Sequence, residues 1–190
     1  MRSKIFVLSG PSGSGKTTLI EKLFRIKPIK GKFIRGITFT TRPIRRGEKE
    51  GRDYIFVSPP TFIFLKRHAF FLEAKKTLGN LYGSPRFLWE EAKQQGKHLL
   101  LCLDVRGGIE IKDKFSKRTV LIFVLPPSLQ EQKKRLRERR TEGESQIKKR
   151  LLLAEKEVKY AKKYEYKIIN TDLDTTVKEI KRILTKEGKS

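Results

Sequence analysis

The sequence predicts an α/β fold: a mostly parallel sheet covered by helices, with a small mixed β insertion and a helical lid. Three observations carry that prediction. Short apolar runs at 4–9, 98–104, 119–125 and 166–170 read as buried strands. Stretches with helical spacing separate them, at 16–26, 86–95, about 107–115, 128–139, 144–163 and 174–186, and such alternation implies a parallel sheet. The segment 33–84 breaks the rhythm, with β-like pieces at 33–40, 53–57 and 70–74 and turn signals at Arg46-Gly47 and Gly79-Asn80. The division expected is one domain, with a core of 1–32, 96–127 and 151–190, an insertion of about 33–95 and a lid of about 128–150.

The first strand, Ile5-Phe6-Val7-Leu8, runs into Gly10-Pro11-Ser12-Gly13-Ser14-Gly15-Lys16-Thr17. This is a complete phosphate-binding loop of the form G-x-x-x-x-G-K-[ST]. Leu19, Ile20, Leu23 and Phe24 follow at helical spacing, so strand, loop and helix stand in the order the chemistry needs. Glycines let the backbone N–H groups turn toward phosphate oxygens, and the helix N-terminus adds partial positive charge. Lys16 reaches the terminal phosphates and the Thr17 hydroxyl can ligate Mg²⁺. The chain is therefore expected to bind a nucleoside triphosphate on a P-loop NTPase core, through residues 10–17 and the adjoining Thr18.

Further along, Thr38-Phe39-Thr40-Thr41-Arg42-Pro43-Ile44-Arg45-Arg46-Gly47-Glu48 leads to Gly51-Arg52-Asp53-Tyr54. Arg42 and Arg45, three residues apart around a proline turn, form a fork suited to phosphate. Phe71-Leu72-Glu73 offers a carboxylate at a strand end, and Gly79-Asn80-Leu81-Tyr82-Gly83-Ser84 a Tyr/Ser pair on a tight loop. Leu103-Asp104-Val105-Arg106-Gly107-Gly108 puts an aspartate at a strand C-terminus, the edge where open α/β sheets bind ligands. Asp104 is equally suited to cap the next helix. Pro126-Pro127 reads as a rigid turn, and Thr141-Glu142-Gly143 breaks two arginine-rich helices as a hinge would.

Taken in order, GPSGSGKTTL, TTRPIRRGE, GRDY, FLE, GNLYGS, LDVRGG, the arginine-rich stretch ending in KKRL, and INTDLD resemble the guanylate kinases nearly end to end. The resemblance implies ATP-dependent phosphorylation of GMP, and of dGMP, with Mg²⁺. It implies that Arg42, Arg45, Tyr54 and Tyr82 hold the GMP phosphate, and that Thr38, Glu73, Gly83, Ser84 and Asp104 line the guanine site. Arg139 and Arg150 match the lid arginines that join Lys16 and Arg42 in catalysis, with Arg135 a weaker match, and Asn170 matches an adenine-side position. The carboxylates make chemical sense, because guanine presents N1–H and N2–H₂ donors that adenine lacks as a pair. Departures are Phe39, Leu81, Pro85, Cys102, Arg106 and Thr171. Cys102 and Arg106 fall beside Asp104.

Composition narrows the alternatives. The formal charge is +24, from 45 Lys and Arg against 21 Asp and Glu. A polyanion partner is one source of such a charge and an enzyme handling phosphates is another. The cations are spread along the chain without an aromatic RNA-reading motif, so no specific nucleic acid is expected. The single cysteine cannot form an internal disulfide, the N-terminus enters the first strand directly, and no apolar run is long enough for a membrane. A cytoplasmic enzyme without a membrane partner is expected. A ribose 1,5-bisphosphate kinase of the same shape would leave Glu73 and Asp104 no base to read. A catalytically silent binding module would not need an intact Lys16 and Thr17.

Overall fold

The computed structural model describes residues 2–45, 47–138 and 143–189. Five parallel strands form the main sheet: β1 (Ile5–Ser9), β2 (Phe33–Arg35), β7 (His98–Cys102), β8 (Thr119–Leu125) and β9 (Tyr166–Ile169), in the order β2-β7-β1-β8-β9. Their side chains alternate between two apolar layers. Phe6, Leu8, Leu100, Ile122 and Val124 face one core, and Ile5, Val7, Leu99, Leu101, Leu121 and Phe123 face the other. Both layers are fully covered, which is why these strands read as continuous apolar runs rather than alternating ones.

Helix α1 (Lys16–Leu23) covers the first layer with Leu19, Ile20 and Leu23, joined by α8 (Leu173–Glu187) through Val177, Ile180, Ile183 and Leu184. Asp172 caps α8 by accepting from the Thr175 N–H at 2.7 Å. The second layer is covered by α4 (Phe87–Gln94), through Trp89 and Ala92, and α5 (Val105–Lys114), through Val105 and Ile111. Helices α1 and α5 thus leave the neighbouring strands β1 and β7 toward opposite faces. Between them lies the crevice where open α/β sheets take ligands.

A second sheet has the order β4-β3-β6-β5, from β3 (Thr38–Thr40), β4 (Tyr54–Phe56), β5 (Phe71–Thr77) and β6 (Asn80–Pro85). Leu78 and Gly79 turn the β5–β6 hairpin with φ of 48° and 85°, the primed geometry that matches strand twist. Three expectations change here. Residues 33–35 belong to the main sheet, paired with β7, so the second sheet starts at 38 rather than 33. Residues 80–84 are an inner strand rather than a tight loop. Glu73 sits inside a seven-residue strand, just after a bulge, not at its end.

Two short helices escaped prediction: α2 (Lys27–Lys32) and α3 (Pro59–Arg67). The latter starts on Ser58, whose hydroxyl accepts from the Thr61 N–H, with prolines in its first two positions where no N–H is needed. Helices α6 (Leu129–Glu138) and α7 (Glu144–Val158) follow β8 and pack on each other.

Candidate active site

The loop after β1 takes its shape from backbone conformation and from two side chains behind it. Gly10 has a φ of 147°, and a Cβ there would overlap the Val124 carbonyl. Gly15 has a φ of 90°, and a Cβ would strike the Asn170 amide. Asn170 is buried at the end of β9 and donates to the Ser14 carbonyl at 2.9 Å. Gln132 on α6 donates to the Ser12 carbonyl at 2.7 Å. The Lys16 ammonium lies over the loop, donating to the carbonyls of Gly10 at 2.6 Å and Pro11 at 2.9 Å. Arg150 on α7 donates to the Ser12 hydroxyl at 2.8 Å, so a cation from a distant helix crosses the loop mouth.

Facing this loop, a cleft of about 590 Å³ extends to the second sheet. Period-two alternation aims its lining: Glu73, Lys75 and Thr77 on β5, and Asn80 and Tyr82 on β6. Thr38, Arg42, Arg45 and Tyr54 line the near side, Asp104 the floor, and Gln146, Arg150, Leu153 and Glu157 the α7 side. The structure thus gathers Lys16, Thr17, Thr38, Arg42, Arg45, Tyr54, Glu73, Tyr82, Asp104 and Arg150 around one space, from segments that are far apart in sequence. Arg139 lies outside the described residues.

The carboxylates are set by hydrogen bonds. Glu73 is buried and accepts from both the N–H and the hydroxyl of Ser84, at 3.1 and 2.9 Å. Burial pushes its carboxyl up to about 7, against the lowering effect of the Ser84 bonds, and the nearby Asp104 adds to the rise. Asp104 accepts from the Gly107 N–H at 2.8 Å and from the Thr77 hydroxyl at 2.6 Å. It caps α5 and lines the cleft at once, so the two roles open to it in sequence are compatible. Gly107 is what lets Glu73 approach, since a Cβ there would come within 3.0 Å of a Glu73 oxygen.

The cations are also held. Arg42 is buried and makes a bidentate pair with Glu48, at 2.8 and 3.0 Å, beneath the Tyr54 and Phe56 rings. Burial opposes its charge, but Glu48 outweighs that and the guanidinium is held above its ordinary value. Glu48 also accepts from the Arg45 N–H at 2.9 Å, so one carboxylate shapes the whole arginine turn. The Tyr54 and Tyr82 rings meet edge to face, 6.2 Å between centroids, and burial pushes the Tyr54 hydroxyl up to about 12.

Several expected contacts differ in kind. Ser84 points at Glu73 and orients that carboxylate, so it stands behind the cleft wall. Gly83 packs against Phe71 and Phe62. Asn170 braces the loop from behind, one N–H of its amide donating to the Ser14 carbonyl. Arg135 binds Glu131 at 2.8 Å and the Asn170 carbonyl at 3.3 Å, supporting the loop at one remove. Arg106 donates to the Lys76 carbonyl at 3.1 Å and fastens α5 to β5.

Two residues were missed in sequence. Glu48 carried no local signal of its partner. Glu157 is buried on α7 beside the cleft, and burial pushes its carboxyl up to about 7, with Lys16 opposing. Its signal was available, because Arg150, Leu153 and Glu157 share one helix face at i, i+3 and i+7.

Known proteins carry the same pattern. The guanylate kinase family model matches residues 2–187. A guanylate kinase of Wolbachia pipientis is 40% identical over 183 residues, 96% of this chain and 90% of that one. One from Thermus thermophilus is 41% identical over 187 residues, 98% of this chain and 83% of that one. The crystal structure of guanylate kinase from Anaplasma phagocytophilum superposes with a TM-score of 0.80 at 31% identity, covering 100% of this chain and 88% of that one. A chain similar to such proteins through both sheets and the cleft between them belongs to the guanylate kinase family.

Proposed function

We infer that this chain transfers the γ-phosphoryl group of ATP to GMP, giving ADP and GDP, and that it accepts dGMP as well. The observation that carries this reading is one cleft lined by Lys16 of the phosphate loop, by the Glu73–Asp104 pair and by Arg42, Tyr54 and Tyr82. Guanine N1–H and N2–H₂ are donors, and the two carboxylates are acceptors set side by side. A buried site of this kind is left unpaired by adenine, and that penalty discriminates strongly. The acceptor phosphate is assigned to Arg42, Arg45, Tyr54 and Tyr82, and the Thr38 hydroxyl to the guanine site with Glu73 and Asp104.

In the transfer, an oxygen of the GMP phosphate attacks the γ-phosphorus. The bond to the β–γ bridging oxygen breaks, and ADP departs with that electron pair. No nucleophilic side chain is needed, because positioning and charge stabilisation dominate phosphoryl transfer. Lys16 and Arg150 already flank the loop mouth. Arg139 is assigned the same task from the resemblance alone. Helices α6 and α7 are assigned as the lid, whose closure excludes water. Thr17, exposed at the start of α1, presents a hard oxygen that fits Mg²⁺ held mainly by phosphates and water. When bound, that ion neutralises charge on the transferring group.

Among the described residues no helix is long and apolar enough to cross a membrane. A cytoplasmic setting is proposed on the single cysteine. The test is ADP release with GMP, dGMP, AMP and UMP as acceptors. GMP-dependent turnover well above AMP and UMP is expected, and its absence overturns the reading.

A further inference from the structure

We propose that Gln132 is a positioning residue for the donor nucleotide: from α6 it turns one peptide of the phosphate loop so that the Gly13 N–H faces a phosphate. The proposal rests on ATP as the donor, as assigned above. Gln132 is 1% exposed, and its amide donates to the Ser12 carbonyl at 2.7 Å. It is not among the residues that line the cleft, so its action runs through Ser12. The Ser12 carbonyl and the Gly13 N–H belong to one planar trans peptide and point in opposite directions. Anchoring the oxygen on α6 therefore aims the N–H away from α6. Gly13 is buried and lines the cleft. Among the described residues no hydrogen bond engages its N–H, whereas the Ser14 N–H is spent on the Pro11 carbonyl at 3.2 Å. A buried N–H calls for an acceptor, and phosphate oxygens are what such a loop takes.

The loop needs this hold because of its own composition. Gly13 has a φ of 86°, and glycine reaches either sign of φ, so the 12–13 peptide can turn over at little steric cost. Gln132 selects one of its two orientations. The fit is close: a Cβ on Gly13 would come within 3.1 Å of the Gln132 Cγ and 3.2 Å of its backbone oxygen. The Ser12 hydroxyl accepts from Arg150 on α7, so both helices hold the same residue. The peptide after Ser14 is treated alike. Asn170 holds the Ser14 carbonyl, which aims the Gly15 N–H the opposite way. Arg135, three residues after Gln132 on α6, donates to the Asn170 carbonyl and joins the two amides.

The test uses the full chain with two variants. Gln132→Met keeps length and packing but cannot donate, and Gln132→Glu donates only while its carboxyl is protonated. Calorimetric titration with ADP and Mg²⁺ reads the cradle directly, and KM is measured for ATP and for GMP. At about pH 8 both variants should weaken ADP about tenfold and raise KM for ATP as much, with KM for GMP changed less than about twofold. As pH falls to about 5.5, Gln132→Glu should regain ADP affinity relative to Gln132→Met, a rescue that loss of packing alone would not give. Either variant decides the matter if the other does not fold. ADP affinity within about twofold of the parent, or equal rises in KM for ATP and GMP, overturns the proposal. A parent that binds ADP but turns over no GMP overturns the transfer reading instead, and the ADP titrations still decide this inference.

Discussion

The donor loop at 10–17 is shaped by its own backbone, whereas the acceptor wall is shaped by side chains that bond one another. In the loop, left-handed glycines and the carbonyls under Lys16 do the work, and Gln132 and Asn170 brace it. Across the cleft, Arg42 leans on Glu48, Glu73 on Ser84, and Asp104 on Thr77 and Gly107. The first region is one contiguous segment and the second draws on residues from 38 to 107. The difference has a physical consequence. A backbone cradle serves any polyphosphate and carries little information about the rest of the ligand. A set of internally satisfied side chains can stand ready for one base, because its charges are oriented before the base arrives and reorganise little on binding.

The comparison predicts separable failures. The largest is at Lys16: Lys16→Met should lower kcat at least about a hundredfold while circular dichroism and thermal unfolding stay near those of the parent, since the carbonyls it binds belong to its own loop. Retention of more than a tenth of the activity would break the donor half of the comparison. A smaller loss is expected at Glu48. Glu48→Gln removes the charge that orients Arg42 and the Arg45 turn, so KM for GMP should rise about tenfold with KM for ATP unchanged. A matching rise for ATP would mean that the two regions are not independent.

The smallest effect is on stability and depends on pH. Glu157 has a folded-state pKa raised by burial from 4.5 to about 7. Its contribution to stability is present below about pH 4.5 and is lost as pH rises through about 7. Glu157→Gln should therefore raise Tm above pH 7, by roughly 2–4 °C, and give no gain near pH 4. Thermal melts at the two pH values check the sign. A gain confined to acid would contradict it.

What could be read in sequence follows the same divide. The strand, loop and helix at 5–23 are contiguous, and each residue's role depends on neighbours a few positions away. The five-stranded sheet was legible because fully buried strands are apolar throughout. Phe33–Arg35 was misassigned because three residues carry no period, and only pairing with β7 decides where they belong. Helix α3 was missed because Pro59-Pro60 reads as a break until Ser58 is recognised as its cap. Asn80–Pro85 reads as turn chemistry residue by residue, yet its alternation is what aims Tyr82 into the cleft and Ser84 behind Glu73. The partners of Glu48 and Glu157 are set by tertiary packing, and a glutamate in a charged run gives no sign of them except through helical spacing.

The central claim is that Glu73 reads guanine. The most direct measurement is kcat/KM for GMP and AMP with Glu73→Gln beside the parent, taken from about pH 5.5 to 8.5. GMP efficiency in the parent should rise with pH through about 7, as the buried carboxyl ionises and can accept both guanine donors. Glu73→Gln should lose GMP efficiency about a hundredfold, lose that pH dependence and leave KM for ATP unchanged. A variant that keeps the parent's preference for GMP over AMP, with the same pH profile, would contradict that claim.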